Sequence, residues 1–403
     1  MKHVLSISTL YPNEVNPRFG TFVARSLEAL ARQNTAPASA AGWRVTVVNP
    51  LGIPPIAFGR YKELADLPDQ QEAAGITVHR PHFTLIPKFG ARRNAKAIAK
   101  AVLPIARRIH AETPIDVIDA QFFFPDGPAA RIVAEELGLP FSIKARGSDI
   151  NYWGRFDFAR EQMLDAAKSA SGLLSVSDAL RKEMVALGIE HDKIALHYTG
   201  LDRDRFRPLG HDRLRSQLGE RLATDLPAHS PLFACVGALN HRKGHDIAIR
   251  ALAMLEELPE SRVLIVGKGE EEGDLRALAK KLGVADRVHL TGSIDHDLLP
   301  IILSAADAMV LPTENEGLAN AWVESLACGT PVITTDVGGA KELITSRTAG
   351  LLVERDPEEI VSAMREVLAS PPDPQAVAAM VERFDWKTHA QELAEYYSQL
   401  SAP

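Results

Sequence analysis

The chain has 403 residues, more than one compact core normally accommodates, so its length predicts two or three domains. A formal net charge of -7 argues against a nucleic-acid-binding protein, and two cysteines are too few for a disulfide framework or a zinc cluster. No stretch approaches the roughly 18 apolar residues that span a bilayer, and the first residues lack the long apolar run of a secretory signal. We therefore expect a cytoplasmic protein.

The first half of the chain alternates short apolar segments with longer helical patterns. Most of the apolar segments are nearly continuous in Val, Ile and Leu, which is typical of parallel strands covered on both faces. Such an alternation predicts βαβ units in a doubly wound sheet. The candidate strands of this half are 4–9, 44–49, 76–80, 116–120, 141–145 and 173–177.

The same alternation restarts after a polar, irregular segment at 200–215. The sequence therefore predicts two Rossmann-like domains, at 1–200 and 201–383. The tail has the pattern of an amphipathic helix at about 384–403, which we expect to pack back on the first domain. The candidate strands of the second half are 231–237, 262–267, 287–292, 308–312 and 331–335.

Two glycine turns follow strands of the second half, where open α/β sheets bind their ligands. Gly237 permits a sharp turn, after which Arg242 and Lys243 stand at the start of the next helix. Two cations beside helix-end amides suit a diphosphate, although a solvated basic turn gives the same pattern. Gly267 lies in a Gly-Lys-Gly turn that can admit a nucleotide against the backbone, or can simply join a strand to a helix.

Two carboxylates eight residues apart, Glu316 and Glu324, follow the strand at 308–312. A helix that begins near Gly317 would place Glu324 about 12 Å from Glu316, so the two acids could read hydroxyls at separate points of one extended ligand. The amides of 317–319 would then lie at a positive helix end. The alternative is two surface acids near a helix start.

Three loops of the first half carry polar residues after strands. Gly20 opens the first helix, Asp126 follows the Phe triplet at 122–124, and Arg146 comes directly after the strand at 141–145. These loops should lie on one side of the sheet and could receive an acceptor. Ordinary loop chemistry is the alternative, and packing is the favoured role for the three phenylalanines.

Beyond these local patterns, the chain resembles glycosyltransferase family 4, whose members have the GT-B fold of two Rossmann-like domains facing each other across a cleft. The Glu-x7-Glu segment with its following ACGTPV is the most specific match. Residues 11–23 and 145–151 further resemble bacterial enzymes that build surface polysaccharides. The matching segments are 176–189, 199–208, 237–246, 267–283, 316–333 and 337–342.

The resemblance implies a donor domain at 201–383 and an acceptor domain at 1–200. Lys243 would bind the donor diphosphate, Glu316 the hydroxyls of the donor sugar and Glu324 the ribose. This chain has Ala238 where the family often has Arg, so Arg242 would supply that charge. The donor-binding set would be Gly237, Gly267, Gly317, Leu318, Ala319, Asn320 and Glu324, the catalytic set Lys243, Arg242 and Glu316, and the acceptor-side set Gly20, Gln121, Asp126 and Arg146.

The resemblance also implies the reaction. A hexose-type sugar would pass from a nucleotide-diphosphate sugar, of the UDP or GDP type, to a saccharide or lipid-linked acceptor with retention of configuration. No metal site and no further cofactor is expected. The basic segment 88–108, which also holds Ile98 and Val102, could rest on the inner face of the plasma membrane, or it could be a solvated helix face.

Other functions share the predicted architecture. A nucleotide-sugar 2-epimerase would convert the donor without an acceptor. A catalytically inactive relative would bind the donor as a subunit, although Lys243, Glu316 and Glu324 argue against it. A phosphorylase would need pyridoxal phosphate and a longer chain.

Overall fold

The computed structural model describes residues 1–17, 19–33, 42–86, 90–210, 214–222, 224, 226–227 and 229–401. The chain forms two compact units, one from Met1–Gly200 with Trp386–Pro403 and the other from Leu201–Asp385. Each unit contains a largely parallel sheet with helices packed on it, so the fold is α/β with two Rossmann-like domains.

The sheet of the first unit has eight strands in the order β10-β9-β8-β7-β1-β2-β5-β4. All its neighbouring strands run parallel except β4 and β5, which form an antiparallel hairpin. A separate parallel pair joins β3 to β6. The strands are β1 (Lys2–Ile7), β2 (Trp43–Val48), β3 (Leu51–Ile53), β4 (Gln70–Ala73), β5 (Ile76–His79), β6 (His82–Thr84), β7 (Val117–Ala120), β8 (Phe141–Ala145), β9 (Gly172–Ser175) and β10 (Ile194–Leu196).

The helices of the first unit cover both faces of this sheet. The C-terminal helix α16 packs on α1, and its Tyr397 ring lies 5.6 Å from that of Trp43, edge to face. Tyr397 and Leu393 are both buried there. The helices are α1 (Thr21–Arg32), α2 (Arg60–Ala65), α3 (Ala91–Glu112), α4 (Asp126–Leu137), α5 (Ser148–Asn151), α6 (Asp157–Ser169), α7 (Asp178–Ala186) and α16 (Trp386–Leu400).

The sheet of the second unit is wholly parallel, in the order β13-β12-β11-β14-β15-β16. Its strands are β11 (Leu232–Val236), β12 (Arg262–Val266), β13 (Val288–Gly292), β14 (Ala308–Leu311), β15 (Val332–Thr335) and β16 (Gly350–Val353). The helices are α8 (Leu214–Leu222), α9 (His245–Ala253), α10 (Glu272–Lys281), α11 (Leu299–Ala305), α12 (Asn320–Ala327), α13 (Ala340–Leu343), α14 (Pro357–Ala369) and α15 (Pro374–Ala379).

Every strand expected from the two apolar series is present, and no strand end is shifted by more than two residues. Five further strands in the described residues were not expected. The hairpin strand β4 has the sequence QQEA, which carries no apolar alternation, and it pairs with β5 through a turn in which Ala74 and Gly75 both have positive φ. The strand β16 is only four residues long and is largely half-buried, so it gives a weak apolar signal.

The basic segment predicted at 88–108 forms most of α3, apart from Lys88, which lies outside the described residues. Its apolar side chains are turned into the core of the first unit, where Ile98 and Val102 are fully buried. The helix is therefore amphipathic as predicted, but its apolar side packs on the core and is not available to enter a membrane. Across the described residues, none of the helices has the length and apolarity needed to cross a bilayer.

Candidate functional site

The strongest concentration of predicted residues lies at the carboxyl ends of the strands in the second unit. The loops after β11 and β12 are joined by backbone hydrogen bonds, since the Gly237 amide donates to the Val266 carbonyl (3.0 Å) and the Leu239 amide to the Lys268 carbonyl (3.0 Å). Parallel strands bring such loops to one edge of the sheet. The site is thus assembled from segments far apart in the sequence.

At this edge Lys243, Arg242 and Glu316 form one charged cluster. Glu316 Oε1 accepts hydrogen bonds from Lys243 Nζ, from an Arg242 guanidinium nitrogen at 3.1 Å and from Thr313 Oγ1 at 3.2 Å. The Lys243 and Glu316 side chains are each only 12% exposed, whereas Arg242 is 44% exposed. The three predicted catalytic residues therefore meet, and one carboxylate fixes the position of both cations.

The backbone around this cluster is held in place by further contacts. The Arg242 carbonyl accepts from the Glu314 amide at 2.8 Å, and Thr313 Oγ1 lies 3.2 Å from the same carbonyl. Arg355 donates to the Pro312 carbonyl at 3.0 Å and to the His241 carbonyl at 2.6 Å. The turn at 241–243 and the loop at 312–316 are consequently locked together before any ligand binds. Sequence reasoning missed Thr313 and Arg355 because neither lies in a recognisable motif.

Glycines bring the loop backbones into close contact at two points. Gly267 has φ +154°, and a Cβ at this position would lie 1.8 Å from the Gly237 carbonyl oxygen. Gly338 has φ +51°, and its Cβ would lie 1.7 Å from the Glu316 carbonyl oxygen. Neither position can hold a larger residue without moving the adjoining loop. Gly237 itself lies beside the Lys243 side chain, where a Cβ would be 3.4 Å from Cε.

The predicted helix start near Gly317 is wrong: α12 begins at Asn320, with Ala319 as its N-cap residue. The reason is that the Gly317 carbonyl accepts a hydrogen bond from the Gly339 amide at 2.7 Å, which holds residues 317 and 318 against the neighbouring loop. Gly317 and Leu318 therefore lie in the loop that leads into the helix. Asn320 is exposed, and Glu324 is half-buried in the second turn of α12.

His245 lies beneath the basic turn, fully buried at the start of α9. Its Nε2 donates to the Ala238 carbonyl at 3.2 Å. Burial, reinforced by the nearby charge of Lys243, lowers the pKa of His245 to about 4. The ring is thus neutral at physiological pH and adds no charge to the cluster.

The acceptor-side residues of the first unit lie at the carboxyl ends of its strands. Arg146 donates through Nε to the Gln121 carbonyl at 3.2 Å and through a terminal nitrogen to Gln121 Oε1, and its guanidinium lies 5.0 Å from the Phe22 ring. Burial lowers the pKa of Arg146 to about 10, against the opposing effect of Asp119. Gly20, with φ +70°, opens the neighbouring helix α1. Gln121 and Arg146 are therefore in contact, as one polar group.

Asp126 is fully buried and accepts two hydrogen bonds from Thr9, from the amide at 2.9 Å and from Oγ1 at 2.8 Å. Burial raises the pKa of Asp126 to about 7, although the Thr9 contacts oppose the shift. The adjacent Phe123 and Phe124 are completely buried. Phe124 packs 4.9 Å from the Trp153 ring, so these aromatics belong to the core.

Replacing Asp126 by Asn should change how the stability depends on pH. The folded carboxyl keeps its proton up to about pH 7, while the unfolded one releases it near 3.8. The contribution of Asp126 to the free energy of unfolding is therefore fully present below pH 3.8 and is lost as the pH rises through 7. The free energy of unfolding changes by about 4 kcal/mol over this range. Urea unfolding of both proteins between pH 4 and pH 7.5 should show wild type losing stability relative to Asp126→Asn as the pH rises. A constant difference would contradict the buried, protonated carboxyl, since the amide adds only a pH-independent offset.

A buried network formed by Lys144, His197 and His389 lies in the first unit and was not predicted from the sequence. Lys144 Nζ donates to His197 Nδ1 at 2.8 Å, and His197 Nε2 donates to the His389 carbonyl at 2.9 Å. Burial is the first cause that lowers the pKa of all three side chains, so the network tends towards its neutral form. It fastens α16 to β8. A lysine inside an apolar strand gives no sequence signal of such a partner.

Within the described ranges, no three side chains of His, Cys, Asp or Glu lie close enough together to hold a metal ion. The independence from metals thus stays a prediction.

Comparison with known families gives matches across most of the chain. A model described as Glycosyltransferase Family 4 matches residues 23–205, and one described as Glycosyl transferases group 1 matches residues 220–384. The two matches meet near the junction of the two units.

Individual proteins give further matches. TuaC of Bacillus subtilis, named as a teichuronic acid biosynthesis glycosyltransferase, is 27% identical over 90% of this chain and 88% of its own length. A GDP-mannose-dependent α-(1-6)-phosphatidylinositol monomannoside mannosyltransferase of Mycolicibacterium smegmatis is 33% identical over 49% of this chain, a match that spans about half (54%) of that enzyme. The crystal structure of Anabaena HepE with UDP has a TM-score of 0.75 at 19% identity, covering 99% of this chain and 100% of that one, and so shows the shared fold.

Proposed function

Because the chain belongs to glycosyltransferase family 4 and has the GT-B fold, we propose that it moves a hexose-type sugar from a nucleotide-diphosphate sugar to a saccharide or lipid-linked acceptor. The observation that carries the proposal is the cluster of Lys243, Arg242 and Glu316 at the carboxyl edge of the second sheet. Two cations fixed by one partly buried acid, beside glycine turns, suit the binding of a sugar diphosphate.

Relatives support the donor class and the pathway. The mycolicibacterial enzyme depends on GDP-mannose, and HepE is seen with UDP, so we propose a UDP or GDP donor. TuaC matches over nine-tenths of this chain and is assigned to teichuronic acid synthesis, which supports a role in bacterial cell-surface polysaccharide synthesis.

The proposed chemistry places Lys243 and Arg242 on the diphosphate. As the bond between the anomeric carbon and the leaving oxygen breaks, negative charge grows on the diphosphate, and cations already held in position stabilise it without reorganisation. Glu316 keeps both cations in place and is proposed to meet hydroxyls of the donor sugar. Glu324, on the second turn of α12, is proposed to bind the ribose.

The remaining donor contacts in this proposal come from the backbone. Gly237 and Gly267 allow the nucleotide to approach the main chain, and the segment 317–320 supplies amides in front of α12. The metal-free character of the reaction is part of the same proposal, because the two cations supply the charge that a metal ion would otherwise bring.

Retention of configuration is proposed by a route in which the acceptor attacks from the side that the diphosphate leaves. The bond from the acceptor oxygen to the anomeric carbon forms while the carbon–phosphate-oxygen bond breaks, and the acceptor proton passes to the departing phosphate oxygen. No protein nucleophile is then required, and Glu316 is not assigned that role. The anomeric coupling constant of the product, measured by NMR, tests retention.

On the acceptor side, Gln121 and Arg146 are proposed to contact the acceptor, and Gly20 opens the helix beside them. Asp126 is buried against Thr9, so we propose that it positions this loop and does not touch the acceptor itself.

The site of action is proposed to be the cytoplasm, at the inner face of the plasma membrane. Contact with anionic lipid rests on charge alone, because the apolar side of α3 is buried while Arg92, Arg93, Lys96 and Lys100 are exposed. Comparing sedimentation with anionic and with neutral vesicles tests this contact.

A thermal-shift panel of UDP-, GDP- and ADP-sugars tests the donor site. We expect one donor class to raise the Tm of the wild type and expect Glu324→Ala to lose most of that rise, because binding to the folded state alone stabilises it. Glu256→Ala, which removes an exposed acid from a turn of the same unit, is the matched control and should keep the wild-type shift. Equal shifts in all three proteins would place the donor elsewhere.

Incubating the protein with the donor that binds, with and without an acceptor, distinguishes the competing functions. A 2-epimerase would convert it with no acceptor present, and an inactive subunit would bind it without turnover. A glycosyltransferase releases the nucleotide in step with the transfer of sugar to an acceptor.

A further inference from the structure

A cavity of about 470 Å³ lies in the first unit, beside the amino-terminal ends of β1 and β2. It is lined by the starts of these strands, by the β4–β5 hairpin and by the last turns of α3, and it is open to solvent. The candidate acceptor loops follow the opposite, carboxyl ends of the strands in this sheet. The cavity is therefore separate from the site already described.

The alternation of side chains along the strands creates this cavity. Leu5 and Val48 point from the sheet into the apolar core against α3. His3 and Thr46 lie two residues before Leu5 and Val48 on the same strands, so their side chains share that face. His79 shares it too, because it is paired with Val48 across the sheet. These three residues form the floor of the cavity. The same face of the sheet thus changes from apolar to polar below the end of α3.

Two guanidinium groups line the cavity from different elements, Arg44 from β2 and Arg108 from α3. In the described parts of the chain, neither side chain has a carboxylate within ion-pair distance. The Arg44 side chain donates a hydrogen bond to Thr113 Oγ1 at 3.0 Å. One carboxylate, Glu112, also lines the cavity. Two unpaired cations against one acid favour a ligand that brings negative charge.

Most of the other lining residues have neutral side chains that can form hydrogen bonds, the exceptions being Val45, Gly75 and Ile109. The His3 ring is occupied, since its Nδ1 donates to the Thr113 carbonyl at 3.3 Å and its Nε2 accepts from Thr46 Oγ1 at 2.9 Å. His79 is buried, and its ring makes no hydrogen bond to the described residues. Burial first, and then the neighbouring guanidinium, lowers the pKa of His79, so the uncharged ring offers one donor and one acceptor.

We propose that this cavity binds a small anionic sugar or polyol, whose charged group contacts Arg44 and Arg108 while its hydroxyls meet His79, Gln70 and Glu112. A carboxylate or phosphate matches the planar donors of two guanidinium groups. Glu112 can only accept, so it selects for hydroxyl groups on the same ligand and disfavours a bare anion. The proposal does not depend on the transfer reaction, since it concerns other residues and is tested by binding.

Calorimetric titration of the full-length protein with glucose 6-phosphate, glucuronate and glucose tests the proposal. We expect an anionic sugar to bind and glucose not to bind at the same millimolar concentrations. If only glucose 6-phosphate binds, the ligand is identified as a sugar phosphate. If only glucuronate binds, the ligand is identified as a uronate. The double variant Arg44→Gln/Arg108→Gln should bind the anionic sugar about tenfold or more weakly.

Two variants keep this result from being explained by misfolding or by another site. Arg107→Gln changes the neighbouring residue, whose side chain pairs with Glu136 at 2.8 Å outside the cavity, and should bind like wild type. Lys243→Gln, in the second unit, should also bind like wild type. Equal binding of glucose, absence of binding to the wild type, or an unchanged affinity of the double variant would overturn the proposal.

Discussion

Replacing Lys243 by Gln should lower kcat/KM for sugar transfer by about a hundredfold to a thousandfold, the range found when one fixed donor to a developing negative charge is removed. The Lys243 ammonium is held by Glu316 and is nearly as buried as a core side chain, with 12% of its surface exposed. It is therefore already in place when charge develops on the leaving diphosphate, and water cannot readily take its role. Arg242 is 44% exposed, so Arg242→Gln should cost less, about tenfold.

The matched control for Lys243 is Lys281→Gln, which removes an exposed lysine at the end of α10 in the same unit. It should transfer sugar like wild type, and circular dichroism with thermal unfolding should show that both variants remain folded. In Lys243→Gln, Glu316 still accepts from Arg242 and Thr313, so the loop should keep its position. A folded Lys243→Gln protein with wild-type turnover would refute the assignment of the diphosphate to this turn.

Replacing Gly267 by Ala should have the largest effect on the structure of the donor loops. A methyl group there would lie 1.8 Å from the Gly237 carbonyl oxygen, and φ is +154°, where residues other than glycine are strained. The loops after β11 and β12 must then separate, which also breaks the hydrogen bond from the Gly237 amide to the Val266 carbonyl. We expect a loss of about 3 kcal/mol or more of stability, and a fall in Tm of at least about 6 °C, together with loss of donor-induced stabilisation.

Gly273→Ala provides the matched control, because it makes the same change six residues further on, in α10. A Cβ at Gly273 would meet nothing within 4 Å. Alanine in a helix is favoured over glycine by about 0.5–1 kcal/mol, so this variant should be slightly more stable than wild type. If the two glycine variants had the same Tm, the close contact between the loops could not be the reason why position 267 requires glycine.

The apolar periodicity of the sequence was sufficient to predict the two sheets, because buried parallel strands need near-continuous runs of Val, Ile and Leu. It failed where a strand carries little apolar signal, as in the QQEA strand of the hairpin. It also misplaced the start of α12, since the hydrogen bond from the Gly339 amide to the Gly317 carbonyl comes from a loop 22 residues later.

The charged residues of the candidate site could be named from the sequence because they follow strands and match a family pattern. That Lys243 and Arg242 share one oxygen of Glu316 could not be predicted, since the contact joins loops more than seventy residues apart. The supports from Thr313 and Arg355 were missed for the same reason.

The sequence by itself therefore determined the local features of this protein. These are the alternation of strands and helices, the glycine turns and the types of charged residue, all of which depend on neighbouring positions. The tertiary structure alone decided which of these residues meet, where Lys144 and His197 are buried together, and that Arg44 and Arg108 line one cavity of the first unit. The physical reason is that periodicity reports burial along one segment, whereas ion pairs and cavities depend on which segments the sheet order brings side by side.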